Sequence, residues 1–233
     1  MPVGICPMCL QNKTLLDSHF MPASLYTLCG TDEFSPVRMT EQVMIPTNRQ
    51  IHDHLFCFDC EQRLSREGEA WTIPLLSVLG GPFPLRERLS KKAPRYNEGS
   101  AAIYGAAENP EIDVAKLTHF GVGIFFKGAV HPWRGNRDEP WIALEADEIE
   151  ALRKYLQGEA DLPPHMALSV IVDSSPIPYQ GFHEPYRAQH PEFKSYCTFV
   201  PGVVFNRQEV AGNKEALGEY GGNRSARAER EAR

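Results

Sequence analysis

The sequence lacks any long hydrophobic run. No apolar stretch approaches the roughly 20 residues that a membrane-spanning helix needs, and no internal repeat is visible. The amino terminus carries neither the basic segment nor the apolar segment of a secretory signal. These absences predict a cytoplasmic protein that does not enter a membrane.

The sequence also lacks an excess of positive charge. Its formal net charge is −6 over 233 residues, and its pI is about 5.8. A strong, nonspecific nucleic-acid binder is usually basic, because it must neutralise phosphates. The charge balance therefore counts against that class of protein, although it leaves room for a locally basic groove. The length is sufficient for one large domain or two small ones.

Cysteine is scarce, and its distribution is uneven. Four of the six cysteines form two CxxC pairs, with 47 residues between Cys9 and Cys57. Two such pairs favour a reducing compartment and a metal site over a disulfide framework. The other two, Cys29 and Cys197, are predicted to be small buried residues. The two pairs are Cys6-Pro7-Met8-Cys9 and Cys57-Phe58-Asp59-Cys60.

The CxxC pairs predict one structural zinc ion. Thiolates suit Zn²⁺, which takes four ligands in a tetrahedron, and the two-residue spacer lets both sulfurs of a pair face one centre. One alternative is four ordinary reduced cysteines. Another is a small redox or metal sensor, although the sequence shows no surrounding thioredoxin-like βαβ pattern. The predicted zinc ligands are Cys6, Cys9, Cys57 and Cys60.

Local patterns predict alternating strands and helices before residue 90. His19 falls between a predicted strand and a predicted helix, which is a common place for a catalytic side chain. His52 and His54 are two residues apart, so they would face the same side of a strand. The predicted elements are strands over 13–16 and 50–56 and helices over 22–29 and 59–71.

A proline-rich, charged stretch over 82–109 predicts a boundary between two lobes. The predicted organisation is a zinc-binding domain over 1–90, a linker over 91–110, a mixed α/β domain over 111–211 and a flexible tail over 212–233. The tail is predicted from its lack of apolar periodicity. Beyond the boundary, the sequence predicts helices over 113–131 and 145–158, strands over 166–172 and 196–205, and an ordered loop over 174–194.

The first 65 residues resemble the HNH endonuclease family in its form with two zinc knuckles. That family reads CxxC, then His-x-x-Pro, then Asn, then CxxC followed by His or Asn. Here the matching segments are Cys6 to Cys9, His19-Phe20-Met21-Pro22 and Cys57 to Cys60 with Glu61. The chain is also similar to uncharacterised bacterial HNH-like proteins. The resemblance implies an α+β fold, in which a ββα-metal, zinc-binding lobe precedes a second mixed α/β lobe.

The resemblance implies a metal-dependent endonuclease that hydrolyses phosphodiester bonds of DNA. The family's His-x-x-Pro histidine is the general base, and His19 stands in that position. The chain departs from the family at Ser18, where Asp or His is usual, and at Glu61. The middle Asn corresponds to His52, with Asn48 as the alternative. A catalytic Mg²⁺ or Mn²⁺ would then draw its ligands from Asp17, His52, His54 and Glu61.

A second hypothesis is that the chain is not an enzyme. The chain would then be a catalytically degenerate zinc-binding module that contacts a nucleic acid, or a partner protein through its C-terminal lobe. On this reading His19 caps a helix and pairs with a neighbour, His52 and His54 form a polar strand face, and Glu61 is favoured by the helix dipole.

Overall fold

The computed structural model describes residues 1–30, 33, 35–39, 43–47, 49–98, 101–105, 109–133, 139–189 and 194–209. Asn48 and the predicted tail over 212–233 lie outside these ranges. Within them the chain forms helices and three β-sheets, which confirms the predicted α+β class.

The three-stranded antiparallel sheet lies in the N-terminal part of the chain. Its strands run in the order β1 (Val3–Ile5), β2 (Asn12–His19) and β5 (His52–Cys57). Helix α1 (Ala23–Cys29) follows Pro22, and helix α2 (Phe58–Leu64) follows β5 without a break. The predicted strands and helices are thus present, and β2 extends far enough to include His19.

The helix after β5 is longer and less regular than predicted. Helix α2 continues through a π-helical turn (Ser65–Glu69), α3 (Ala70–Thr72) and a 3₁₀ turn (Ile73–Leu75). Gly68, in the π-helical turn, lets the Phe120 backbone approach closely. A Cβ at this position would lie 2.9 Å from the Phe120 backbone nitrogen. The predicted end near residue 71 was too early, since Pro74 fits the first turn of the terminal 3₁₀ segment.

The larger sheet has six strands and combines distant parts of the chain. Two short strands from the predicted zinc-binding domain, β3 (Val37–Met39) and β4 (Met44–Pro46), join strands from the predicted C-terminal domain. Strand β3 pairs in parallel with β9 (Gly181–Ala188), and the other pairs are antiparallel. The predicted domain boundaries stay a prediction, but they do not separate the sheets. The order is β4 (Met44–Pro46), β3 (Val37–Met39), β9 (Gly181–Ala188), β10 (Ser195–Val200), β11 (Val203–Glu209) and β8 (Met166–Val172).

Two predictions about this sheet were wrong. The single strand predicted over 196–205 is the hairpin β10–β11, because Pro201 and Gly202 turn the chain and Gly202 adopts a φ of +74°. The stretch 174–194, predicted as a loop, contains strand β9. Its Pro185 lacks a backbone N–H, which normally argues against a strand interior.

The predicted boundary region also contains regular structure. Helix α4 (Pro84–Leu89) is followed by a hairpin of β6 (Tyr96–Glu98) and β7 (Ala101–Ile103). The next two helices confirm the helices predicted over 113–131 and 145–158. They are α5 (Val114–Val130) and α6 (Ala146–Gln157). A capping box begins α6, and a left-handed glycine, Gly158, ends it.

Helix α5 is buried on almost every side and lies at the centre of the core. Phe126 stacks on Phe56 of β5 with a ring-centroid separation of 6.2 Å. On the other side Phe120 meets Phe205 of β11 edge to face at 5.6 Å. A Cβ at Gly121 would lie 2.6 Å from the Phe205 ring, so this glycine permits the close approach. Both larger sheets therefore pack on one helix.

Candidate metal centre and polar strand face

The four CxxC cysteines meet in space. The first pair lies in the turn between β1 and β2, and the second pair joins the end of β5 to the first turn of α2. Their sulfur atoms all lie within 4.8 Å of one another. Cys6, Cys57 and Cys60 are buried, and Cys9 is half-buried. These four residues could hold a metal ion such as zinc, and we call them the cysteine cluster.

The first knuckle is held by a tight backbone turn. The Leu10 amide donates to the Cys6 carbonyl at 2.8 Å, and the Cys6 amide donates to the Gln11 carbonyl at 3.0 Å. Leu10 takes a φ of +59°, which is unusual for a residue other than glycine. The turn therefore fixes the sulfurs of Cys6 and Cys9 toward one point.

The cluster strongly perturbs its own thiols. A hydrogen bond from the Cys60 thiol lowers the pKa of Cys6 to about 4, against the opposing effect of burial. The same contact, with burial, raises the pKa of Cys60. The Cys57 amide also donates to the Cys6 sulfur at 3.5 Å. A divalent cation would displace the thiol protons on binding. This donor set fits Zn²⁺.

Four candidate residues share one face of the β2–β5 pair. Asp17 is opposite His54, and His19 is opposite His52. Because side chains alternate along a strand, all four lie on the same side of the ribbon. We call Asp17, His19, His52 and His54 the polar strand face.

Two contacts organise this face. His52 Nδ1 lies 2.8 Å from Asp17 Oδ1, and the His19 and His52 rings are 5.6 Å apart between centroids. The hydrogen bond to His52 lowers the pKa of Asp17, which burial alone would raise. A carboxylate accepts, so His52 Nδ1 is the donor in this contact, and in the neutral imidazole Nε2 is then the nitrogen that can bind a metal ion. Metal-binding histidines commonly have this carboxylate partner.

Ser18 faces the other way and has a structural role. The register between β2 and β5 is irregular between Leu15 and Asp17, where β5 has one extra residue. The Ser18 hydroxyl accepts a hydrogen bond from the Phe56 amide at 3.1 Å and donates to the Leu16 carbonyl at 3.4 Å. Ser18 is only 2% exposed. Its hydroxyl thus pairs a backbone amide within this irregular stretch.

Glu61 lies on α2 and is not part of the polar strand face. Its Oε1 atom is buried and accepts no hydrogen bond from a described residue. Within the described ranges, only the cysteine cluster has three or more Cys, His, Asp or Glu ligand atoms within 4.8 Å of one another. The structure therefore groups Asp17 with His52 but does not bring Glu61 to them. The ligand roles of Asp17, His52, His54 and Glu61 stay predictions.

A buried ion pair that was not predicted from the sequence lies behind His19. Lys127 of α5 donates to the His19 carbonyl at 3.2 Å and to Glu69 Oε1 at 3.3 Å. Lys127 is 3% exposed. A signal was available, because Lys127 is the one Lys, Arg, Asp or Glu between Leu117 and Val130. A buried ammonium group needs such partners.

A second contact between a histidine and an aspartate, made by His131 directly after α5, lies on the opposite side of β5. His131 Nε2 is 3.2 Å from Asp53 Oδ2, and Asp53 Oδ1 accepts from the His54 amide. By strand alternation Asp53 faces away from His52 and His54. The ribbon is therefore anchored to the C-terminal part of α5 at two neighbouring register positions, the His19 carbonyl on β2 and the Asp53 carboxylate on β5.

No family model matches the chain, and neither a curated protein nor a solved structure matches it. The described helices include none that is both long and apolar enough to cross a membrane.

Proposed function

We propose that this chain is a metal-dependent, HNH-like endonuclease that hydrolyses phosphodiester bonds of DNA, with a structural zinc in the cysteine cluster. Strands β2 and β5 and helix α2 would form its ββα-metal unit. The observation that carries the proposal is the polar strand face, where His19 lies beside the hydrogen-bonded pair Asp17 and His52.

His19 would act as the general base. Its side chain is partly exposed, so water and a substrate phosphate can reach it. Its backbone is held by Lys127 at the carbonyl and by the hydrogen bond from the Phe20 amide to the Ile51 carbonyl. A base fixed at the end of a strand can take the proton from water as the oxygen attacks phosphorus.

Asp17 and His52 would hold the catalytic cation. Carboxylate and imidazole are competent ligands for Mg²⁺ and Mn²⁺, and both side chains are about half exposed, so a cation can reach them. When bound, the cation would stabilise the charge that develops on the phosphate and on the leaving oxygen. Glu61 and His54 are the further candidate ligands.

The test is cleavage of plasmid and oligonucleotide DNA with Mg²⁺, Mn²⁺ and Ni²⁺, on single- and double-stranded substrates. His19→Ala should lose about 10²–10⁴-fold in rate, because a positioned base contributes that much. His52→Ala and Glu61→Ala should instead raise the cation concentration needed. His165→Ala, an exposed histidine before β8, is the matched control. Unchanged cleavage by the His19 variant would refute its assignment.

One observation favours a second candidate, the zinc-binding module without catalysis. Among the described residues, the polar strand face does not assemble three ligand atoms close enough for a second metal ion. On this reading the exposed face contacts DNA or a partner protein. Absence of cleavage under all these conditions, together with one metal ion per chain, would support the module and count against the nuclease.

A further inference from the structure

A side chain of helix α6, which is distant from the cysteine cluster in sequence, contacts one of its sulfur atoms. Gln157 Nε2 lies 3.4 Å from the Cys60 sulfur, although the two residues are 97 positions apart. Cys60 is 3% exposed, so the contact is screened from bulk water. A thiolate only accepts hydrogen bonds, which requires the amide nitrogen of Gln157 to face it.

A second side chain of α6 contacts the first knuckle. Arg153 Nη1 donates to the Met8 carbonyl at 3.3 Å, between Cys6 and Cys9. Met8 is fully buried, and Arg153 is 8% exposed. Two carboxylates, Glu150 and Glu159, bind the other guanidinium nitrogens at 2.7–3.0 Å. The guanidinium is therefore held in place against the knuckle backbone.

The chemistry of a four-cysteine site gives these contacts a consequence. Four thiolates bring four negative charges, and Zn²⁺ offsets only two of them. Donors that point at the sulfurs therefore stabilise the loaded site, and they matter most where water is excluded. The Cys57 amide supplies one such donor to Cys6. Gln157 supplies a second, to Cys60, and it comes from a different part of the fold.

We propose that Gln157 is a positioning residue of the metal centre, and that metal binding fastens the last turn of α6 to the two knuckles. The inference rests on the zinc occupancy proposed above, and it is independent of any nuclease activity. Helix α6 also packs on α5, where His119 Nε2 lies 3.3 Å from the Leu156 carbonyl, and the side chains of Leu152 and Leu156 are fully buried. The metal centre thereby links the knuckles to the core built around α5.

The experiment compares zinc release from the full chain and two variants. Gln157→Glu replaces the donor with a carboxylate of the same shape, which repels the thiolates. Gln157→Leu removes the donor and keeps an apolar side chain of similar size. Transfer of zinc to a chromophoric chelator should be about 10–100-fold faster for Gln157→Glu, the range seen when an outer partner of a metal ligand is lost. For Gln157→Leu, zinc transfer should be faster than for the unmodified chain but slower than for Gln157→Glu.

The matched control is Lys154→Met, on the same helix. Lys154 is half-exposed, and its contact is with Glu150 rather than with the cluster. Its zinc release should equal that of the unmodified chain. In a second measurement, NMR signals of the Gln157 side-chain amide should shift on loading with zinc or cadmium.

A metal-free comparison separates this role from ordinary packing. After chelation, Gln157→Leu and the unmodified chain should unfold at the same urea concentration, because the donor no longer has a metal-bound thiolate to stabilise. Equal zinc release from Gln157→Glu and the zinc-loaded unmodified chain would overturn this inference alone. A stability difference that persists undiminished without metal would also overturn it. An unmodified chain that binds no zinc would overturn the metal centre itself.

Discussion

Removal of the proposed zinc ion should destabilise the fold by an amount that follows from the chain length between the knuckles. Cys9 and Cys57 are 48 positions apart. A cross-link that closes a loop of this length removes about 4 kcal/mol of conformational entropy from the unfolded chain. Because a domain is stable by only about 5–15 kcal/mol, this is a large share of the total. For a chain of this size it corresponds to about 8–16 °C in melting temperature.

The assay is urea and thermal unfolding of the purified chain, with its metal content measured by elemental analysis. We expect one zinc ion per chain, and a loss of about 4 kcal/mol when a chelator removes it. Cys9→Ser should produce the same loss without a chelator. Cys197→Ser is the control, because Cys197 lies on β10, outside the cluster.

Two outcomes would refute this reasoning. A metal-free preparation with the melting temperature of the loaded chain would show that the cysteine cluster does not cross-link the knuckles. Equal effects of Cys9→Ser and Cys197→Ser would show that the loss comes from general core packing instead.

Three further predictions concern stability. Ser18→Ala should cost about 1–3 kcal/mol in urea unfolding, because the buried Phe56 amide loses its acceptor; no change would contradict the role of Ser18. Burial raises the pKa of Glu148, yet hydrogen bonds with Glu209, the Glu145 amide and Arg207 outweigh it and lower the pKa to about 2. The ionised Glu148 therefore stabilises the fold above pH 4.5, and this contribution is lost as the pH falls toward 2. In Glu148→Gln the free energy of unfolding should fall less steeply between pH 4.5 and 2; an equally steep fall would contradict the prediction. Deletion of residues 213–233, which are poor in apolar residues, should leave the melting temperature nearly unchanged; a drop of many degrees would contradict it.

The part of the candidate site that depends on short spacing could be predicted from the sequence. Two-residue alternation correctly put His52 and His54 on one face, because the side-chain period of a strand is fixed. The CxxC spacing likewise predicted that the cysteines meet. The inward position of Ser18 follows from the same alternation once β2 is extended to His19.

Features that depend on distant partners could not be predicted in this way. Strand β3 pairs with β9, which lies more than 140 positions further on, and β3 alone has only three residues. Pro185 favoured the prediction of a loop at β9. The strand nevertheless forms, because it pairs with β3 on one side and with β10 on the other. The Pro201-Gly202 dipeptide is itself a turn signal, but the aromatic and β-branched residues on both sides of it favoured the prediction of a continuous strand.

The cysteine cluster and the polar strand face lie at opposite ends of the same strand pair, and this links them physically. Leu15 pairs with Cys57 at the cluster end, and His19 pairs with His52 at the other end. A slip of one residue between β2 and β5 would turn one strand's side chains to the other face. A metal ion in the cysteine cluster would oppose such a slip, since it would tie the turn before β2 to the end of β5. We therefore expect metal removal to separate Asp17 from His52 and to abolish any activity of this face, although the metal in the cluster touches neither residue.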